Sequence, residues 1–196
     1  MIGYLKGRIT HKSPTYLYIE CSGVGYHVNI SLHTYGKLDK VEEATLLTYL
    51  HIVENDMSLY GFFDEDERHL FTLLLSVSGV GANTARLILS SMEVDEIKSA
   101  IISENDGYLS KVKGIGPKTA KRIILDLKDK LMKSGGDSAL ILPAVNNTVK
   151  EDSLSALVSL GIARNIAEKY IQQILKTNPS IDKVEDLIKL VLKHMN

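Results

Sequence analysis

Two stretches of the chain place glycines where main-chain amides can do chemistry. Val77-Ser-Gly79-Val-Gly81-Ala-Asn-Thr-Ala85 recurs as Val112-Lys-Gly114-Ile-Gly116-Pro-Lys-Thr-Ala120, with Gly114 standing 35 positions after Gly79. Each copy lies between apolar, helix-patterned segments, so each reads as helix, tight hairpin, helix. The glycines admit backbone conformations and close approach that a side chain forbids. Val80 and Ile115, between them, plug the gap between the helices. The following helix N-terminus presents unpaired N–H groups and the positive end of its dipole, a seat for a phosphate oxygen. Thr84 and Thr119 add hydroxyls. Such a device grips sugar-phosphate backbone without reading bases. One copy alone is usually a mere helix connector; two in matched context, the second followed by cations, point to nucleic acid. A nucleotide-binding P-loop is excluded, because it needs Gly directly before Lys-Ser/Thr and here Pro117 precedes Lys118-Thr119.

Charge is segregated around the second copy. From Lys111 to Lys133 stand Lys111, Lys113, Lys118, Lys121, Arg122, Lys128, Lys130 and Lys133 against Asp126 and Asp129, a local +6 in a 196-residue chain of formal charge −1. That overall balance excludes a generally sticky polyanion binder. Lys118, Lys121 and Arg122, within a turn or so of the hairpin, are the candidate phosphate partners; Lys128, Lys130 and Lys133 fit a solvated helix face. Neutralised phosphates would make binding steeply salt-dependent. Carboxylates collect elsewhere, at Asp39, Glu42 and Glu43, at Glu54 and Asp56, and from Asp64 to Glu67. Glu54-Asn55-Asp56 reads as a solvated turn between strands; as a Mg²⁺ pair for nuclease chemistry it lacks a base and a third ligand. The six histidines show no metal-ligand spacing. No catalytic site, metal or cofactor is expected. The single Cys21 excludes an internal disulfide and a multi-cysteine zinc site.

The elements that must hold these residues fall into three unlike parts. Residues 1–63 read as about five strands rich in β-branched and aromatic residues, with Gly23 and Gly25 at one turn and no helix long enough to cover a sheet. Such a sheet buries its apolar face best by closing on itself, which favours an OB-fold β-barrel over an SH3-like one. Residues 64–133 read as all-α. Asp64 with Glu67 makes a capping-box start; Leu70, Phe71, Leu74 and Leu75 share a face, then Ala85, Ile88 and Leu89, then Val94, Ile97 and Ile101. A long helix opens at Pro117, where a missing N–H is harmless, and buries Ala120, Ile123, Ile124, Leu127 and Leu131. Residues 134–149 read as a flexible linker with an apolar stretch at 139–142. Residues 150–196 read as three short helices, the first starting near Val149 and stopping at Gly161, the second ending before Pro179. No apolar run approaches the ~18 residues of a membrane span, and the opening residues lack a secretion signal's apolar core. A soluble, reduced, cytoplasmic protein is expected, with no membrane partner.

The opening Met1-Ile-Gly-Tyr-Leu-Lys-Gly7, then Gly23-Val-Gly-Tyr26, Leu59-Tyr-Gly-Phe62 and the two hairpins resemble, in that order and nearly end to end, the RuvA family of bacterial Holliday-junction-binding proteins. The resemblance implies an OB barrel, a tandem helix-hairpin-helix domain and a C-terminal three-helix, UBA-like domain. It implies a homotetramer, one or two to a junction, holding an open four-way junction without sequence specificity. Its role would be the non-catalytic DNA-binding subunit of a branch-migration complex in recombination, repair and the SOS response. The implied partners are RuvB, a hexameric AAA+ ATPase, and the resolvase RuvC. Carried over position by position, Gly79, Val80, Gly81, Gly114, Ile115 and Gly116 supply amides, and Lys118, Lys121 and Arg122 meet phosphates beside Asn83, Thr84 and Thr119. The first hairpin departs from the family in having Ala82-Asn83 where Pro-Lys is common, with Arg86 one turn on as a partial substitute. An acidic pin that repels phosphates at the junction centre maps onto Glu54 and Asp56, where Asn55 breaks the usual run of acids. The RuvB dock maps onto Leu157, Leu160, Ile162, Ile171, Leu187 and Leu190. Two rivals stand beside this reading. One is a helix-hairpin-helix repair glycosylase or nuclease, which needs a catalytic Asp or Lys by a pocket. The other is an OB single-strand-binding module stacking bases on Tyr16, Tyr18 and Tyr26.

Overall fold

The computed structural model describes residues 2–135, 145–178 and 181–195, with no side-chain detail for 133–135 and 145–148. The apolar stretch 139–142, most of the expected linker and the Lys133 side chain lie outside the described residues. The chain divides into two compact units, Met1–Ser138 and Ala139–Asn196.

In the first unit, alternating apolar residues build five strands: β1 (Tyr4–Ser13), β2 (Tyr16–Cys21), β3 (Val24–Ile30), β4 (Glu43–Val53) and β5 (Asp56–Phe62). They close in the order β1-β2-β3-β5-β4. Four pairings are antiparallel, and a short parallel pairing of β3 with β5 (Asn29 with Tyr60, Ile30 with Gly61) completes an OB barrel rather than the SH3-like alternative. Leu5, Leu17, Ile19, Val28, Ile30, Leu46 and Leu59 fill its interior, one residue in two along each strand. The β2–β3 turn is Ser22-Gly23, both at positive φ; Gly25, expected in that turn, lies inside β3.

A short helix, α1 (Leu32–Lys37), links β3 to β4. At six residues it is too brief to show a helical period in the sequence. Ser31 caps it, accepting from the Thr34 N–H at 3.0 Å. Five further helices follow: α2 (Glu65–Leu75), α3 (Ala82–Ser91), α4 (Val94–Ile102), α5 (Asp106–Leu109) and α6 (Pro117–Gly135). Asp64 caps α2 as expected, accepting from the Glu67 N–H at 2.9 Å. The Glu67 side chain does not complete a capping box. It is fully buried, and the hydroxyls of Ser31 and Thr34 each donate to one of its carboxylate oxygens, the Thr34 bond at 2.5 Å. The Thr34 hydroxyl also accepts from the Phe63 N–H at 3.0 Å. Burial pushes the Glu67 carboxyl above its ordinary value, and the two hydroxyl bonds pull back. Both hydroxyls already accept from backbone, so their protons have only the carboxylate to go to.

Glu67→Ala therefore strands two buried hydroxyls and opens a cavity, at a cost of about 2–4 kcal/mol. The urea midpoint of the first unit falls accordingly; an unchanged midpoint would show that the cluster stabilises nothing.

Phe71 joins the two layers. Its ring sits 5.5 Å from Tyr49, 5.1 Å from Tyr60 and 4.9 Å from Phe62, so α2 is seated on the outer face of β4 and β5. Tyr60 and Phe62 thereby belong to the helical core, with Leu70, Leu74, Ile88, Ile97, Ile123 and Leu127.

The second unit holds α7 (Val145–Ser159), α8 (Arg164–Thr177) and α9 (Val184–Met195) around Leu157, Ala167, Ile171, Ile174, Leu187 and Val191. Its first helix starts four residues before the expected Val149; Asn146-Asn-Thr148, turn and cap formers by type, are helical here. Among the described residues no helix is long and apolar enough to cross a membrane.

Candidate nucleic-acid interface

The two glycine motifs fold as near-copies. Backbone bonds Ser76→Leu73, Val77→Leu74, Val80→Val77 and Ala85→Gly81 (each N–H to carbonyl) reappear 35 residues on as Lys111→Tyr108, Val112→Leu109, Ile115→Val112 and Ala120→Gly116. The first elbow joins α2 to α3. The second joins α5, a four-residue helix the sequence pattern did not reveal, to α6. Within each elbow the glycines have different tasks. Gly79 and Gly114 sit at φ +92° and +89°, where an L side chain is strained by about 1–2 kcal/mol. Gly81 has ordinary extended angles, and a Cβ on it or on Gly116 would meet no protein atom within 4 Å. The second glycine thus leaves open space in front of the helix end. There the first intrahelical bonds begin at Ala85 and Ala120, and Gly81 provides no side-chain cap. The amides ahead of them point outward. Two assignments change. Val80 and Ile115 have buried side chains and amides engaged within the elbow, so both are plugs and neither offers an amide to a ligand.

Cations distinguish the elbows. Beside the second, Lys118 is exposed, and the Lys121 and Arg122 side chains, 73% and 55% exposed, stand 3.9 Å from Asp106 and Asp126. Pairs this open contribute about 0–1 kcal/mol and yield readily to a phosphate. Lys128 is bonded to Glu104, whose carboxyl it holds below its ordinary value, and Lys130 donates to Ser76 Oγ at 3.1 Å. Beside the first elbow Arg86 does not reach outward: its Nη1 donates to Thr15 O at 2.9 Å and Asn29 Oδ1 at 3.1 Å, tying α3 to the barrel. Asn83 Oδ1 accepts from the Tyr60 hydroxyl at 3.4 Å. Thr84 and Thr119 are half-buried on their first helical turns.

Glu54 and Asn55 form the tip between β4 and β5, with Val53 paired to Asp56. Asp56 accepts from Ser58 Oγ at 2.6 Å. Exposed Ile52, Val53 and Met57 flank these acids, so the tip is as apolar as it is acidic. At its base a cleft of about 420 Å³ lies between the barrel and the first elbow, lined by Asn29, His51, Asp56, Tyr60, Asn83 and Thr84 among others. Tip and elbow are thus neighbours. Burial, together with the Asp56 carboxylate, pushes the Tyr60 hydroxyl above its ordinary value against the pull of Arg86, which keeps it a donor. Asn29, His51 and Tyr60 come from three strands, and no local spacing announces them. Of the tyrosines proposed to stack bases, Tyr26 packs into the barrel core, while Tyr16 and Tyr18 cluster outside with His11 and His27 at ring distances of 4.9–5.7 Å.

In the second unit Leu157, Ile171 and Leu187 are core residues and are not available to a partner; Ile162 and Leu190 pack against that core, and Leu160 is 65% exposed. Val158 and Ile166, missed by the sequence pattern, are exposed on either side of the Gly161 turn.

An OB barrel carrying two helix-hairpin-helix elbows, with a separate three-helix unit, defines the class of protein. The chain matches the RuvA N terminal domain over residues 1–61, the SAM-like helix-hairpin-helix tandem over 71–129 and the RuvA C-terminal domain over 148–196. It is 48% identical to the Holliday junction branch migration complex subunit RuvA of Christiangramia forsetii and 48% identical to that of Flavobacterium psychrophilum, each over 195 residues and the whole of both chains. With the same subunit of Bacteroides fragilis it shares 46% over 202 residues, again the whole of both. The chain belongs to the RuvA family.

Proposed function

We propose that this protein is the junction-binding subunit of a branch-migration complex, recognising four-way DNA by its backbone and its geometry. The observation that carries the reading is the pair of elbows with matching backbone bonds and glycine angles, held on the same unit as an acidic tip that adjoins the first of them. Outward amides at both helix ends, with Lys118, Lys121 and Arg122 at the second, suit the sugar-phosphate chain of a duplex arm. Residues 1–63 form the central barrel and 64–133 the DNA grip. Four copies around a fourfold axis give each arm of an open junction the same surface. That places four tips at the centre, where Glu54 and Asp56 repel phosphates and Ile52, Val53 and Met57 lie against exposed base pairs. One tetramer covers one face of a planar junction, leaving the other for a second tetramer or for the resolvase RuvC. Residues 150–196 dock on the ATPase RuvB through the exposed Leu160 with Val158 and Ile166, and ATP hydrolysis belongs to that partner.

Gel shifts with four-way, duplex and single-stranded DNA of equal length test the reading. The junction is expected to bind at least about a hundredfold more tightly than the duplex, which offers fewer simultaneous phosphate contacts. Equal affinity for all three would refute it.

A further inference from the structure

A second cluster, away from the elbows, brings a histidine and carboxylates from three elements to one point. His33 lies on α1, Asp64 caps α2, Glu67 follows on its first turn, and Glu93 caps α4. His33 Nδ1 stands 2.8 Å from Glu93 Oε2, and His33 Nε2 stands 3.5 Å from Asp64 Oδ2. One ligand atom from each of His33, Asp64 and Glu67 lies within 4.8 Å of the others, the one such group among the described residues.

The geometry answers to a metal in three ways. Two ligands bound at about 2.0–2.1 Å and a tetrahedral angle lie about 3.4 Å apart, close to the 3.5 Å from His33 Nε2 to Asp64 Oδ2. A carboxylate carries no proton, so the short contact to Glu93 puts the ring proton on Nδ1. In the neutral ring that leaves Nε2 a bare lone pair on the side of the Asp64 carboxylate, with Glu67 in the same group. A ligating histidine usually donates its other N–H to a carboxylate in this way. Finally, the cluster opens on a cleft of about 240 Å³ lined by Asp64, Asp66, Glu93 and Asp95, with Lys37 beside them. Such a mouth draws cations and has room for a water as fourth ligand. Lys98 pairs with Asp66 at 3.3 Å, which leaves the other acids of the mouth to act on an ion.

We propose that His33 Nε2, Asp64 and Glu67 form a three-ligand site for a divalent transition metal of the Zn²⁺ type, with Glu93 orienting the histidine. The ion ties α1 of the barrel to the start of α2, and through Glu93 to the cap of α4; its role is structural. The mixed nitrogen and oxygen donors suit Zn²⁺ or Co²⁺ and do not suit Mg²⁺.

The test uses the full chain, stripped with EDTA and held at pH 8, where an ordinary histidine is neutral. Calorimetric titration with Zn²⁺ is expected to give one ion per chain. Zinc at about a hundredfold over Kd raises Tm by about 5–10 °C. Co²⁺ gives the visible absorption of a tetrahedral site. His33→Gln keeps a donor toward Glu93 and removes the ligand; Asp64→Asn keeps an equally good helix cap and removes the charge. Each lowers Zn²⁺ affinity at least about tenfold and abolishes the Co²⁺ spectrum while the metal-free Tm stays near wild type. Absence of Zn²⁺ binding in the wild type, or binding unchanged in both variants, would overturn the proposal and leave the cluster a histidine–carboxylate clamp. Junction binding is not the readout, so its failure and this one are separable.

Discussion

Alanine at both Lys118 and Arg122 is expected to lower affinity for a synthetic four-way junction at least about a hundredfold near physiological salt, and to flatten the dependence on salt. The slope of log K against log salt carries about 0.9 for each phosphate neutralised. Two cations on each of four subunits would remove about seven units of slope from a fourfold assembly. Both side chains are exposed, and Arg122 is only loosely paired, with Asp126 at 3.9 Å, so their loss disturbs little within the fold. Melting temperature should therefore stay within a degree or two, by the small effect of open surface pairs. A slope equal to wild type would place these cations away from the DNA.

A chain ended at Ser138 should keep its junction affinity and lose stimulation of the RuvB ATPase altogether. The division of cores motivates this expectation: the barrel and the elbow helices pack around two sets of apolar residues within Met1–Ser138, and Leu157, Ile171, Leu187 and Val191 belong to a third within Ala139–Asn196. Gel shifts and ATP turnover with RuvB and junction DNA read the two outcomes separately. Loss of junction binding in the shortened chain would show that the second unit contributes to the grip, against the proposed division of labour.

What the sequence made legible follows from range. Period-two strands, the Asp64 cap, Pro117 at a helix start and the glycine repeat are local patterns, and each is found where the spacing put it. The misreadings that bear on the site are long-range. Glu67 stands three residues after Asp64 and so reads as a capping-box partner, yet its real partners, Ser31 and Thr34, lie 36 and 33 residues away. Arg86 one turn past the elbow looks like a phosphate ligand until Thr15 and Asn29, 71 and 57 residues back, take its guanidinium. The cleft under the acidic tip needs strands β3, β4 and β5 to be adjacent, which no single segment encodes. The same holds for His33, whose metal-like company comes from the caps of two distant helices and not from any spacing of histidines. Helices α1 and α5 escaped for another reason: six and four residues are too few to display a period.

The seating of Phe71 among Tyr49, Tyr60 and Phe62 bears on mechanics. A pull on α2 or α3 reaches the barrel through a cluster of tilted and edge-on rings and, in parallel, through the guanidinium of Arg86. Interiors packed at crystal density compress little, so this platform behaves as a stiff bracket between its elbows and its acidic tip. When torque is applied to a nucleic acid lying across such a bracket, the compliance sits in the nucleic acid, and it is the base stacking there that gives way.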